Sequence, residues 1–108
     1  MKTLIIATVA VASLASAAHA ASASDLQFLE AARCRGLASS ENLGKLDTAS
    51  LDAFLRTEAS TRDPAALNSA QNKMKSATKE AESASGEKKT KLLAERDGAC
   101  AAYMGGAK

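Results

Sequence analysis

The stretch DPAALNSAQNKMKSATKEAESA, residues 63–84, decides how this chain folds. Asp63-Pro64 is the clearest punctuation in the sequence, with Asp as N-cap and Pro at the first helical position. Behind it Leu67, Ala70, Met74, Ala77, Ala81 and Ala84 recur at spacings of three and four. That is an a/d seam sustained for over two heptads. Alanine dominates it, so a partner helix can approach closely while little area is buried per layer. The other faces carry Lys73, Lys75, Lys79, Glu80 and Glu82 and read as solvated.

Downstream, Ser85-Gly86 ends this helix, with Gly86 in the left-handed conformation of a C-terminal cap. A last helix then runs from about Glu87 to Tyr103, with Glu87, Lys91 and Glu95 as an i, i+4 ladder and Gly105-Gly106 as its stop. A hairpin here gives the Ala-rich seam Leu92, Leu93 and Ala99 to pack against. The alternative is one long helix through Gly86, at a cost of about 1 kcal/mol relative to Ala.

Upstream, a helix opens near Asp47 or Ser50 with a stripe of Leu51, Phe54, Leu55 and Ala59. The first helix, capped by Ser24 or Asp25, carries Leu26, Phe28, Leu29, Ala32, Cys34, Leu37 and Ala38. Ala31, Cys34 and Ala38 share one face. Gly36 weakens this helix late, and Ser39-Ser40 and Gly44 mark the following loop.

Residues 1–20 have the three zones of a bacterial export signal. Lys2 is the positive start, Leu4 to Leu14 is almost wholly apolar, and Ala18-His19-Ala20 is an A-x-A cleavage site. The apolar run is too short for a bilayer span, which needs roughly 20 residues. The expectation is cleavage before Ala21, leaving residues 21–108 as a single helical domain, periplasmic or secreted.

All the Ile and Val residues (Ile5, Ile6, Val9, Val11) lie in that leader. Strands favour β-branched and aromatic side chains, whereas Ala, Leu, Lys, Glu and Arg favour helices. The expected fold is therefore all-α, a small antiparallel bundle of three or four helices. Its core is thin, and a domain this small is marginal without a staple. Cys34 and Cys100 are the only cysteines, and export places them where disulfides persist. A bridge would close a loop of about 67 residues, worth roughly 4 kcal/mol in the chain-entropy account.

Composition also narrows function. The whole chain has a formal net charge of +2, of which Lys2 supplies one, too weak a field to imply nucleic acid. Residues 68–91 are locally basic, with six Lys against three Glu, a sign that suits an anionic surface. The only histidine, His19, leaves with the leader. That removes Ser-His-Asp and Cys-His nucleophile systems in their usual forms, and histidine-bound zinc with them. Carboxylate pairs such as Asp47 and Asp52, or Glu80 and Glu82, read as helix surface rather than glycosidase-type acids facing across a cleft. No enzyme, cofactor or metal is expected.

The string Arg96-Asp97-Gly98-Ala99-Cys100 is the most informative locally. On a helix, Arg96 lies one turn before Cys100. Its five donors either tie the last helix to the first or third, or contact a partner. With Asp63 ahead of Leu67-Asn68, this R-D-x-x-C ending resembles LprI-type lysozyme-inhibitor domains, small exported helical proteins of bacteria. The resemblance covers residues 63–100. Gln71 stands where those domains carry an aromatic, and Leu92 and Leu93 stand near the place of their usual Trp.

The resemblance implies a non-enzymatic binding protein whose partner is a lysozyme-like hydrolase. A cationic partner would be steered by acids, which concentrate in residues 21–67. Asp47, Asp52 and Glu58 are the candidate contacts, with Arg96 beside them. The other reading is a periplasmic stress protein or holdase chaperone, whose thin core opens under stress.

Overall fold

The computed structural model describes residues 23–104. The export signal at 1–20, the cleavage point and Gly105-Gly106 lie outside the described residues. Within them the chain is all-α: α1 (Asp25–Ala38), α2 (Ala49–Ala59), α3 (Pro64–Glu82), α4 (Gly86–Asp97) and a short 3-10 turn (Ala101–Tyr103). No described helix is long and apolar enough to cross a membrane.

Local sequence accounts for most of the boundaries. Ser24 caps α1 through a reciprocal box: its Oγ accepts the Gln27 N–H at 3.1 Å, and its own N–H donates to Gln27 Oε1 at 2.9 Å. Asp63 Oδ1 accepts the Ala66 N–H at 2.9 Å, and Pro64 opens α3. Thr48 stands at the α2 N-cap, but its side chain accepts no helix N–H, and the neighbouring Asp47 Oδ1 takes the Ala49 N–H at 2.9 Å instead. α3 ends earlier than expected, at Glu82 with Ser83 as its C-cap, and Gly86, at φ +58°, is the first residue of α4 rather than the C-terminal cap of α3; the chain turns between the two helices, and the single long helix is not formed.

The seam on α3 is buried at Ala70, Ala77 and Ala81, and Ala84 just past the helix end is buried with it, while Leu67 and Met74 stand at its partly exposed margin. Its principal partner is α1, not α4 as the hairpin expectation had it. The reason lies in Gly36, which sets the distance between α1 and α3. A Cβ there would run into the Met74 carbonyl oxygen and stand 2.8 Å from the Ala77 Cβ. The residue that reads as a weak point of α1 is the place where α3 crosses it backbone to backbone, and Thr78 Oγ1 donates to the Gly36 carbonyl at 3.3 Å. The core gathers Ala31, Cys34, Leu37, Leu43, Leu51, Ala77, Ala81, Leu92 and Cys100 around this crossing.

α4 adds Leu92 to the core but is held largely by polar groups. Arg33 of α1 makes a two-pronged bond to Glu95, at 2.6 and 2.9 Å, and a third to Glu80 of α3 at 3.0 Å. Lys88 meets the other Glu80 oxygen at 3.2 Å. α4 stops at Asp97, short of the expected Tyr103, because the chain turns at Gly98. Cys100 therefore lies in the turn beyond the helix, its N–H on the Glu95 carbonyl at 3.1 Å, and Ala99 is exposed rather than packed on the seam.

Cys34 and Cys100 are bridged, with Cα atoms 5.5 Å apart, and both are buried. The staple joins α1 to the turn just beyond α4. Tyr103 follows it and packs on Phe54 of α2, ring centroids 5.5 Å apart.

Candidate partner-binding groove

α2 and α3 both lie on α1 but share no extended contact with each other. The gap between them is an open apolar groove of about 200 Å³. Phe28 and Ala32 of α1 form its floor with Ala70 of α3, all three buried. Leu55 and Ala59 of α2 make one wall, Leu67 and Met74 of α3 the other, and Gln71 is the one polar lining residue. The wall residues are half-buried and accessible from outside. The stripe on α2 explains this: Leu51 reaches the core, whereas Phe54, Leu55 and Ala59 remain partly uncovered.

Ion pairs stand at both ends. Arg62 lies 5.2 Å from the centroid of the Phe28 ring, a cation–π distance. It pairs with Glu58 Oε1 at 3.0 Å and donates to the Ala23 and Ser24 carbonyls, pinning the α2–α3 connection to the start of α1. Its Nε is buried without a hydrogen bond and lies 3.4 Å from Asp25 Oδ1. One turn beyond Ala32, Arg35 Nε donates to Asp52 Oδ1 at 2.7 Å, and Thr48 Oγ1 donates to Asp52 Oδ2 at 2.9 Å. Burial pushes the Asp52 carboxyl up, but the bonds from Arg35 and Thr48 outweigh it and hold the group below its ordinary value.

The four residues singled out as partner contacts thus separate. Asp52 and Glu58 flank the groove, each already committed to an arginine. Asp47 is exposed at the start of α2, outside the lining. Arg96 is 6 % exposed and points inward: it donates to the carbonyls of Leu37 at 3.5 Å, Leu43 at 2.9 Å and Gly44 at 2.6 Å. It straps the loop after α1 onto α4, the structural one of its two readings, and is no surface contact.

That loop is itself a cap, which the sequence did not announce. Asn42 Nδ2 donates to the Ala81 and Ala84 carbonyls, both at 2.8 Å, and Glu82 Oε1 accepts the Glu41 N–H at 2.7 Å. The orphan carbonyls at the end of α3 are satisfied from a distant part of the chain. The groove lining was also missed. Its residues were visible as two apolar stripes, but nothing in their spacing shows that the stripes diverge.

Among the described residues no group of three or more His, Cys, Asp or Glu is placed to hold a metal ion. The fold and groove define a class, a disulfide-stapled all-α domain with an open apolar groove between its helices. No protein-family profile, curated protein or solved structure matches this chain.

Proposed function

We propose that the chain, freed of residues 1–20 on export, is a non-enzymatic binding protein of the periplasm or the extracellular space, and that it grips a protein partner in the α1–α2–α3 groove. The groove carries this reading. It offers partly exposed Leu55, Leu67 and Met74 over a preformed apolar floor, the composition that partner anchors bury against. The R-D-x-x-C resemblance points to a lysozyme-like hydrolase as the partner.

The test is binding and inhibition of lysozyme by the purified, oxidised protein, with Met74→Ser and Leu55→Ser variants. Slowed lysis that either groove variant relieves at least tenfold supports the reading. No inhibition and no binding at micromolar concentration overturns it. Asp52→Lys with Glu58→Lys is a less clean probe of acidic steering, since both carboxylates also hold arginines within the fold. Asp47→Lys changes the surface charge without that side effect.

The same groove supports the holdase reading, in which extended apolar segments of unfolding proteins occupy it. Suppression of aggregation at low pH, lost in Met74→Ser while lysozyme is never bound, would favour the chaperone.

A further inference from the structure

A second surface lies away from the groove, along the outer faces of α3 and α4. Three shallow depressions of about 340, 480 and 470 Å³ run into one another there. The first two share Ser76, and the second and third share Glu80 and Lys88. From Ser69 to Ser83 this trough follows α3 for roughly 21 Å.

Its chemistry is that of a donor row. Lys73, Lys79 and Lys91 line it and make no salt bridge among the described residues. Ser69 and Asn72 precede Lys73 along the row, and Ser76 lies between Lys73 and Lys79. Of the two lining acids, Glu87 makes no salt bridge among the described residues and sets one negative charge against the three unpaired lysines. Glu80 is neutralised from both sides, by Arg33 at 3.0 Å and Lys88 at 3.2 Å, and the Arg33 bond above all holds its carboxyl below the ordinary value.

We propose that this trough binds a linear, phosphate-bearing polyanion, whose repeating charges run along α3. Charge complementarity selects an anion, and the length of the row selects a chain over a single ion. No aromatic side chain lines the trough, so it lacks the stacking platforms on which single-stranded nucleic acid depends. Leu92, the one apolar lining residue, is buried, so the surface has nothing to insert into a bilayer. The site is separate from the groove, and each can fail without the other.

Inorganic polyphosphate is the probe. The purified, oxidised protein is titrated with it at low salt and again across a salt series, beside Lys73→Gln/Lys79→Gln and, as a control of equal charge loss outside the trough, Lys45→Gln/Lys75→Gln. All four lysines are exposed, so the variants should fold. The trough variant should bind about tenfold more weakly, with a log K against log salt slope shallower by about 1.4, and the control should lose less than about twofold. Equal loss in both variants would mean diffuse attraction and overturn the proposal. So would binding of orthophosphate at a similar concentration, or capture by phosphatidylglycerol vesicles with no binding of polyphosphate. Absence of any polyphosphate binding at low salt would overturn it outright.

Discussion

On the side turned to α3, α1 presents Gly36, and the two backbones touch; on the side turned to α2 it presents Phe28 and Ala32 beneath an open groove. Both contacts have an apolar centre, each is also spanned by an ion pair, and both belong to one helix. They differ in what sets the distance between axes. At the Gly36 crossing, glycine and alanine leave only backbone and the Ala77 methyl between the helices, with the Thr78 hydroxyl and the Arg33–Glu80 pair beside them. Across the α2 contact, Leu55 and the Arg35–Asp52 pair stand between the helices. Small residues close an interface, and larger ones hold it apart and leave room that a partner can use.

The largest expected effect comes from what holds both sides together. Cys100→Ser frees the end of α4 and the Tyr103 contact with α2, and the denatured chain loses a constraint spanning most of the domain. The loss should approach roughly 4 kcal/mol, an upper figure because real denatured chains retain structure. Thermal melts in oxidising and reducing buffer measure it. If reduction barely moves Tm, the thin core is stronger than its composition suggests.

Next comes the closed side itself. Ala77 is fully buried where α3 crosses α1. Ala77→Glu places a charge in a contact with no volume to spare and should cost at least about 2 kcal/mol. Gly36→Ala is the sharper variant. Ala is favoured over Gly in an isolated helix by about 1 kcal/mol. Here its Cβ meets the Met74 carbonyl oxygen, a backbone atom that cannot swing aside, so a net loss of about 1–3 kcal/mol is expected. A melt showing Gly36→Ala stabilised would mean that the helices do not touch there.

Gly36 also shows where reading the sequence stops. The four helices, the caps at Ser24 and Asp63, the turn at Gly86 and the Cys34–Cys100 bridge were legible because each depends on chemistry within a few residues or on simple pairing. The seam was legible as a buried face, but its partner was not, because periodicity tells which side of a helix is covered and never by what. Glycine in a helix has two meanings, low propensity and close approach, and only the crossing helix distinguishes them. Arg96 likewise announced a need for acceptors; of the three carbonyls that meet it, Leu37 lies in the last turn of α1 and Leu43 and Gly44 come from a loop whose path no local pattern encodes. Of the candidate site, Asp52 and Glu58 were singled out by charge alone, and the groove that they flank was not read at all.

A smaller effect separates the titrating periphery from the closed apolar contact. Asp52, Glu80 and Glu82 all sit below their ordinary values in the folded protein, Glu80 and Glu82 chiefly through hydrogen bonds, Asp52 against the pull of burial. The unfolded chain therefore binds more protons than the folded one near the ordinary carboxylate values of 3.8 and 4.5. The stabilisation is complete above this range and is lost as pH falls through the depressed folded values. Tm should be flat near neutrality and decline below about pH 4.5, and Glu80→Gln should flatten part of that decline. A Tm that rises on acidification would contradict the ion pairs on both sides of α1.

The smallest expected change in stability tests whether the second side of α1 is truly open. Ala59→Leu adds three carbons to the α2 wall of a groove of about 200 Å³. In a closed interface such an addition forces neighbours off their rotamers and costs about 1–3 kcal/mol, the fate expected at Gly36 and Ala77. In an open groove the added carbons meet Leu67 and the Phe28 floor without displacing them, and leucine is nearly as good a helix former as alanine. Stability should then stay within about 0.5 kcal/mol of the parent, as for surface substitutions. Any partner that uses the groove should bind at least tenfold more weakly, because its anchor position is filled. The two readouts answer different questions. A large fall in Tm would show that α2 and α3 close over this space, and the contrast between the two sides of α1 would disappear. An unchanged Tm with unchanged lysozyme binding would keep the contrast and move the partner to another face.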